Sequence, residues 1–167
     1  GKAVGWPLYR LLGGEAKPVP AYAGGVALGW QEPSSLAAEA EAIVARGFTA
    51  VKLRLGDGWR NDTAPVRAVR HALGDEIDIL ADANTSYSLD DARKIIPVLD
   101  ELSLGWLEEP FSPHDVRSYR TARMYGALPF AAGENHYTRF EFAPLIDDDL
   151  VTILQPDLSK VGGVTET

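Results

Sequence analysis

The chain of 167 residues contains no cysteine, which excludes a disulfide framework and a metal site built from thiolates. It also lacks any apolar run of about 18 residues, the length that a membrane-spanning helix needs. The first seven residues do not form the apolar core of a signal peptide. Together these absences predict a soluble protein of the reducing cytoplasm.

Positive charge is scarce as well. The sequence has 16 Lys and Arg against 24 Asp and Glu, a formal net charge of -8. This balance argues against nucleic acid or an anionic membrane as the main partner. With 46% hydrophobic residues, the chain is long enough for one folded core. We expect a globular protein that binds a small molecule, and an anionic ligand would need a local group of cations.

Apolar runs alternate with helical patterns along most of the chain. The runs are continuously apolar, which is typical of parallel strands buried on both faces. Ser34 or Ser35 is expected to cap the first helix, and Ser88 with Asp91 forms a near capping box before the third. Strands are predicted over 19–22, 49–53, 77–81, 105–107, 130–132 and 151–154, and helices over 34–46, 62–73, 89–102, 113–124 and 139–146.

Six strands and five helices in alternation fit two architectures, the eight-stranded (β/α) barrel and the open doubly wound sheet. No glycine-rich dinucleotide loop follows a predicted strand, and polar residues end nearly every strand instead of one switch point. Both features favour the barrel. Since a barrel takes about 250 residues, the sequence predicts about six of the eight strands of an α/β, TIM-type barrel.

Three carboxylates, Asp82, Glu108 and Glu134, each follow an apolar run and lie 26 residues apart. That interval fits one strand, one helix and two loops, so each acid is expected at the carboxyl end of a successive parallel strand. In a barrel these ends form one rim. Three carboxylates with no cysteine or histidine among them make an all-oxygen site for a hard cation such as Mg²⁺. The alternative is that the acids cap neighbouring helices.

Cations lie near the same strand ends. Lys52 and Arg54 are two residues apart in the second predicted strand, so their side chains point to the same face. There they would counter the carboxylates; otherwise they are solvated charges at a strand end. The sixth strand is followed by a further acid, Asp157, and a further lysine, Lys160. Trp30 falls in a predicted loop, where it could serve the rim or pack into a core or interface.

Five motifs in this order resemble the barrel domain of the enolase superfamily, mandelate racemase group. The resemblance covers about residues 19–167, and residues 1–18 resemble the connector from that family's separate capping domain. It implies an Mg²⁺ cofactor and removal of the proton next to a carboxylate through an enolate. We also expect a homo-oligomer when the protein is full length. The motifs are Lys52-x-Arg54, Asp82-x-Asn84, Glu108-Glu109-Pro110, Gly133-Glu134-Asn135 and Pro156-Asp157-x-x-Lys160-x-Gly162-Gly163.

The resemblance implies a role for each motif. It makes the three acids spaced by 26 residues the Mg²⁺ ligands and Glu109 an outer acid beside them. Asn84, Asn135 and His136 would contact the substrate. Either asparagine could equally be an ordinary turn residue.

Asp157 resembles the aspartate that orients a histidine base in the mandelate racemase group. The muconate-lactonizing and dipeptide-epimerase relatives have a lysine base at this position instead. The histidine would come from a seventh strand, beyond residue 167. Lys160 resembles the family lysine that follows, with an electrostatic role, although a surface lysine at a helix start fits it as well.

Arg54 departs from the usual Lys-x-Lys pattern of the group, whose second lysine is the base that faces the histidine in a racemase. Arginine stays protonated and is a poor base, but it can hold a carboxylate or a hydroxyl. With Lys52 against the substrate carboxylate, a single base favours dehydration of a sugar acid. The alternatives are a racemase, epimerase or cycloisomerase of a related hydroxy acid, or a truncated barrel without catalytic activity.

Overall fold

Six strands form one sheet in this computed structural model, in the order β1 to β6 along the chain, and every pair is parallel. The structure describes the backbone of residues 1–167 and the side chains of residues 1–24 and 28–167. The register places Asp82 opposite Arg54 on one side and opposite Glu108 on the other. The strands are β1 (Ala23–Gly29), β2 (Ala50–Arg54), β3 (Asp78–Asp82), β4 (Leu107–Glu108), β5 (Phe130–Ala132) and β6 (Ile153–Leu154).

A helix follows each of the first five strands. Every strand pairs with its successor in the chain, which is the order of a (β/α) barrel, whereas a doubly wound sheet reverses at a switch point. The predicted α/β barrel, with six of its strands present, is therefore confirmed. The helices are α1 (Leu8–Leu11), which precedes the sheet, α2 (Pro33–Val44), α3 (Trp59–Leu73), α4 (Leu89–Glu101), α5 (Val116–Ala122) and α6 (Thr138–Asp147).

Side chains of β2 alternate between a buried apolar face and a charged face. Val51 and Leu53 are fully buried, while Lys52 and Arg54 are partly exposed. The charged pair thus shares one face, as the alternation predicts. The apolar face joins a core cluster that also contains Val66 and Val69 of α3, Ile79 and Ala81 of β3, and Ile95 and Leu99 of α4.

Helices α4 and α2 begin by two different local signals, a capping box and a proline at the first helical position. Before α4 the capping box is confirmed, because Ser88 Oγ accepts from the Asp91 N–H at 3.1 Å and the Asp91 carboxylate accepts from the Ser88 N–H at 3.2 Å. Helix α2 begins at Pro33, so the expected cap at Ser34 or Ser35 is wrong. Proline is favoured at the first helical position because its φ is already helical and its missing N–H would have no partner there.

The first strand lies later than predicted. The structure places β1 at Ala23–Gly29, so the expectation of a strand over 19–22 is wrong. A Cβ on Gly29 would lie 2.3 Å from the carbonyl oxygen of Arg54. Only glycine lets the two backbones come this close, so a residue that suggests a turn in the sequence serves strand packing here.

Helix α5 also begins later than predicted, at Val116 and not at Pro113. The Asp115 carboxylate accepts from the Ser118 N–H at 3.0 Å and caps the helix. Within the residues that the structure describes, no helix is long and apolar enough to cross a membrane.

Candidate active site

The carboxyl ends of β2, β3 and β4 bring four charged side chains into contact. Lys52 Nζ lies 2.8 Å from Glu108 Oε2 and 3.3 Å from Asp82 Oδ2. Arg54 Nη1 lies 3.5 Å from the same Asp82 oxygen. Both carboxylates are almost fully buried, at 3% and 2% relative exposure. We call Lys52, Arg54, Asp82 and Glu108 the rim cluster.

The electrostatics of the rim cluster keep Lys52 protonated. Burial opposes its charge, but the hydrogen bond from Lys52 to Glu108 and the negative charges of Glu108 and Asp82 outweigh burial and raise the pKa of Lys52 above its usual value. At neutral pH this lysine is a cation and a hydrogen-bond donor. In this environment it is suited to hold an anion rather than to accept a proton.

Three aromatic and amide side chains surround the cluster, and sequence reasoning did not assign two of them, Gln155 and Trp106, to the site. Gln155 Nε2 and Trp106 Nε1 donate to Glu108 Oε2 at 3.0 and 3.4 Å. The Lys52 ammonium lies 5.6 Å from the centre of the Tyr22 ring. Trp106 lies two residues before Glu108 and Gln155 directly follows β6, so strand alternation and strand-end position were the signals that identify them.

Asn84 shapes the turn after β3. Its N–H donates to Asp82 Oδ1 at 2.9 Å, and its φ of 44° lies in the left-handed region, where asparagine is one of the better tolerated residues. The side chain of Asn84 is exposed. This geometry supports the turn role directly and leaves the amide accessible to a ligand.

Glu109 joins the loop after β3 to the loop after β5. Its carboxylate accepts from Asn135 N at 3.2 Å and Asn135 Nδ2 at 2.6 Å, while its carbonyl accepts from the Thr85 N–H at 2.7 Å. Burial and the nearby charges of Glu134 and Asp82 raise the pKa of Glu109. Glu109 also has a φ of 39°, a conformation that surrounding contacts must hold.

Glu134 lies two residues beyond β5 and is half-buried. Across the described part of the chain, no group of three or more His, Asp or Glu residues is placed to hold a metal ion. The structure therefore brings Asp82 and Glu108 together around Lys52 and does not add Glu134 to them. Its assignment as the third Mg²⁺ ligand stays a prediction.

Asp157 and Lys160 lie after β6 in a turn. Asp157 Oδ1 accepts from Ser159 N at 2.8 Å and from Ser159 Oγ at 2.7 Å, and these bonds lower the pKa of Asp157. The Lys160 N–H donates to the Asp157 carbonyl at 2.9 Å. Among the described side chains, neither residue has a hydrogen bond or an ion pair with the rim cluster. Their catalytic roles stay predictions.

His136 is buried, with 2% relative exposure, and its ring lies 5.6 Å from that of Phe142. Neither ring nitrogen has a hydrogen-bond partner among the described residues. Burial lowers the pKa of His136, so the ring is neutral near pH 7. A substrate would reach it only after its neighbours move, and its predicted substrate contact remains untested.

The candidate donors at the rim are of the kind that a divalent cation takes. All the candidate donors are carboxylate oxygens, which Mg²⁺ prefers. A cation, the Lys52 ammonium, already lies between the two buried carboxylates. Within the rim cluster two carboxylates face two cations, while Glu109 is bonded to Asn135 and Glu134 lies on the loop after β5.

Each strand of the sheet pairs in parallel with the next one along the chain, and charged residues lie at the carboxyl ends of the strands. Since (β/α)-barrel enzymes have their active sites at this end, the fold and the site define a (β/α)-barrel domain of an enzyme. Residues 35–167 match the family described as Enolase C-terminal domain-like. The chain belongs to this family, within the enolase superfamily, as the motifs predict.

Curated relatives resemble the chain over nearly its whole length. It is 36% identical over 162 residues to a 3,6-anhydro-alpha-L-galactonate cycloisomerase of Streptomyces coelicolor, covering 95% of this chain and 44% of that protein. It is 32% identical over 174 residues to a D-gluconate dehydratase of Thermoproteus tenax, covering 98% of this chain and 35% of that protein. The chain therefore spans less than half the length of these relatives.

Solved structures share the fold. An enolase superfamily member from Polaromonas sp. JS666 has a TM-score of 0.95 and 57% sequence identity, and the match covers 99% of this chain and 44% of that one. A racemase from Streptomyces coelicolor A3(2) with bound magnesium has a TM-score of 0.87 and 33% identity, covering 96% of this chain and 48% of that one.

Proposed function

We propose that this protein removes the proton next to the carboxylate of a hydroxylated acid, through an enolate, and that the outcome is dehydration of a sugar acid. The observation that carries the proposal is the rim cluster, in which Lys52 and Arg54 meet Asp82 and Glu108 at the carboxyl ends of adjacent strands. The similarity to a D-gluconate dehydratase supports the substrate class.

Asp82, Glu108 and Glu134 are the residues proposed to hold Mg²⁺. Bound there, the ion would stabilise the second negative charge that forms on the carboxylate oxygens of the enolate. What supports this assignment is the chemistry of the donors, since two buried carboxylates and the half-buried Glu134 offer only oxygen ligands. Glu109 is proposed to position the loop after β5, which carries Glu134, through its two hydrogen bonds from Asn135.

Lys52 and Arg54 are proposed to hold the substrate. Lys52 is kept protonated by Glu108 and Asp82, which suits a contact with the substrate carboxylate. Arg54 is charged at every working pH and presents a planar group of donors, which suits a substrate hydroxyl or carboxylate and not a proton transfer. Asn84, Asn135 and His136 are the further proposed substrate contacts.

Asp157 is proposed to orient a histidine base from a part of the protein outside this sequence. Ser159 holds one carboxylate oxygen, Oδ1, so Oδ2 is the oxygen proposed to accept from the imidazole N–H. An aspartate in this position fixes the ring and stabilises the imidazolium. Lys160 is proposed to act electrostatically beside it.

The reaction balances with a single base. The base takes the proton from C2, and the electrons of that C–H bond move to the carboxylate as the enolate. The enolate then expels the C3 hydroxyl, which leaves as water with the proton returned by the same group. The resulting enol becomes a 2-keto acid. A racemase needs a second base on the opposite side of C2, which an arginine at position 54 does not supply.

Cycloisomerisation of a related acid is the second candidate. The similarity to a 3,6-anhydro-alpha-L-galactonate cycloisomerase favours it. Both reactions share proton removal next to the carboxylate, and the second would break a carbon–oxygen bond held in a ring. The same rim residues serve both candidates, so the leaving oxygen decides between them.

Residues 1–18 are proposed to connect the barrel to a separate capping domain. Every one of these residues is exposed, which suits a segment that other parts of a longer protein cover. The homo-oligomer remains a prediction, and a small-molecule carboxylate is the proposed partner.

The test is turnover of sugar acids by the full-length protein with Mg²⁺. In deuterated water, the dehydration product should be a 2-keto-3-deoxy acid that carries one solvent deuteron at C3, which NMR detects. Inversion at C2 without loss of water would show that the protein is a racemase and not a dehydratase. Absence of turnover for every hydroxy acid tried, with Mg²⁺ bound, would refute the proposed reaction.

A further inference from the structure

A cavity of about 430 Å³ lies beside Arg54, between the loops that follow β1 and β2. Arg54 belongs to the cavity wall and to the rim cluster, since its guanidinium also contacts Asp82. Arg54 is thus the residue that the rim cluster and the cavity wall share. The volume lies within the usual range of small-molecule sites. The polar and aromatic part of the wall includes Trp30, Glu32, Arg54, Asp57, Arg60 and Asn61.

Side chains of the loop after β2 and of the first turn of α3 already contact one another. Asn61 Nδ2 donates to the Asp57 carbonyl at 3.1 Å and to Asp57 Oδ2 at 3.0 Å. The Arg60 guanidinium lies 4.6 Å from the centre of the Trp59 ring. Because these side chains are already held in place, a ligand that binds here immobilises few further side chains, which lowers the entropic cost of binding.

Trp30 adds an exposed aromatic face at the mouth of the cavity. It is 61% exposed, and its φ of 52° is uncommon for a residue other than glycine. The close approach of Gly29 to the Arg54 carbonyl precedes this turn directly. An aromatic face beside fixed amide, carboxylate and guanidinium groups suits a hydroxylated carbon chain, whose C–H groups pack on the ring while its hydroxyls exchange hydrogen bonds.

The charge of the wall favours neutral hydroxyls over a second carboxylate. Glu32, Asp57 and Asp62 face two arginines, Arg54 and Arg60, so the wall has one negative charge in excess. Asp62 is not available to a ligand, because it accepts from Tyr87 Oη at 2.6 Å and from the Gly56 N–H at 3.0 Å. Even without Asp62 the charges only balance.

We propose that this cavity, the distal cavity, binds the hydroxylated carbons farthest from the carboxylate of a five- or six-carbon monocarboxylic sugar acid. The inference rests on the proposed function, which places the carboxylate at Lys52. Arg54 then contacts the middle of the substrate, and Trp30, Arg60 and Asn61 contact its far end. The distal cavity selects chain length and selects against diacids.

The experiment measures kcat/KM of the Mg²⁺-loaded full-length protein for four-, five- and six-carbon monoacids that share the C2 and C3 configuration. Trp30→Ala and Arg60→Ala are each expected to lower kcat/KM for the six-carbon acid about tenfold, the size of one lost polar or ring contact, and for the four-carbon acid less than about twofold. Phe140→Ala and Arg93→Ala, at exposed residues of α6 and α4, are the matched controls and should change neither value.

An equal loss for all chain lengths, or no loss, would overturn the distal cavity as a subsite, and so would a preference of the unaltered protein for the six-carbon diacid. If the protein turns over no hydroxy acid, the proposed function fails by itself, and binding still tests the cavity. In that case NMR follows the indole N–H of Trp30, assigned with Trp30→Phe, during addition of gluconate. A shifted resonance supports the subsite, and an unchanged one overturns it.

Discussion

The two halves of the rim hold their carboxylates in different ways. At β3 and β4, Asp82 and Glu108 are buried and in contact with Lys52. Beyond β5 and β6, Glu134 and Asp157 are half-buried, and the partner of Asp157 is Ser159, two residues away in the chain. The first half is assembled by opposite charges from adjacent strands. The second half presents its carboxylates on loops.

This difference follows from desolvation. A carboxylate at 2% or 3% exposure needs a partner for the folded state to tolerate its charge, and Lys52 and Arg54 supply it. A half-buried carboxylate keeps part of its hydration, so the folded state tolerates its charge without a bound partner. Substitutions in the first half should therefore change folding stability as well as function, and substitutions in the second half should change function alone.

The largest expected effect lies in the second half, at Asp157→Asn. Loss of the carboxylate removes the support for an imidazolium, so turnover should fall by about 10²- to 10⁴-fold, the usual contribution of general base catalysis. Mg²⁺ affinity and thermal stability should not change. Steady-state kinetics and calorimetry measure these quantities in the full-length protein, with Asp78→Asn at the opposite end of the sheet as control. Wild-type turnover in Asp157→Asn would refute the dyad.

The comparison is sharpened by a pair of variants, Glu108→Gln and Glu134→Gln. Both should lose at least about 100-fold in Mg²⁺ affinity by calorimetry, more than partners outside the ligand shell usually contribute. With the metal chelated, only Glu108→Gln should also lower the free energy of unfolding in urea, by about 1–3 kcal/mol, because the neutral amide removes the charge that pairs with the Lys52 ammonium. The exposed Glu76→Gln is the control. Unchanged Mg²⁺ affinity in Glu134→Gln would show that Glu134 is not a ligand of the ion.

A further variant, Tyr87→Phe, tests whether the buried polar contact between α3 and the loop after β3, next to the first half, contributes to folding stability. It deletes the hydroxyl that donates to buried Asp62 at 2.6 Å, so the free energy of unfolding should fall by about 1–3 kcal/mol at neutral pH. Tyr125→Phe, in which the tyrosine is partly buried, is the matched control. Equal stability of the two variants would show that the Asp62–Tyr87 bond does not hold these loops.

The same variant should show a defined pH dependence. Burial raises the pKa of Asp62, and the Tyr87 hydrogen bond partly offsets that rise. A raised folded-state pKa makes the contribution of Asp62 most favourable at low pH, and stability is lost as pH rises through the folded pKa. Without the hydroxyl that pKa rises further. The pH-dependent part of the difference between Tyr87→Phe and the unaltered protein should therefore be absent below the folded-state pKa of Asp62 and reach its full size above the higher pKa of the variant.

The smallest expected effect is that of Arg54→Lys. The lysine keeps the charge but loses the planar pair of donors, so KM for the sugar acid should rise about tenfold while stability changes little. The exposed Arg67→Lys, whose arginine pairs with Glu101, is the control. Gain of C2 inversion in Arg54→Lys would show that arginine at this position suppresses racemisation. An unchanged KM would contradict the role of Arg54 as a substrate contact.

Local patterns were sufficient for most of the architecture. The alternation of apolar runs and helices predicted six parallel strands in barrel order. The capping box at Ser88 and Asp91 could be predicted from four consecutive residues. The spacing of 26 residues put Asp82 and Glu108 at the ends of β3 and β4. These features depend on periods of two and 3.6 residues and on the length of a strand, helix and loop, all of which the sequence displays directly.

The tertiary structure alone decided the features that depend on distant residues. The place of β1 depends on how closely Gly29 approaches Arg54, 25 residues away. The contact of Gln155 with Glu108 spans 47 residues, and that of Tyr87 with Asp62 spans 25. Sequence patterns determine which face a side chain takes, because that is a property of the local backbone. Which buried charge meets which partner is fixed only when the strands pack and water leaves the contact.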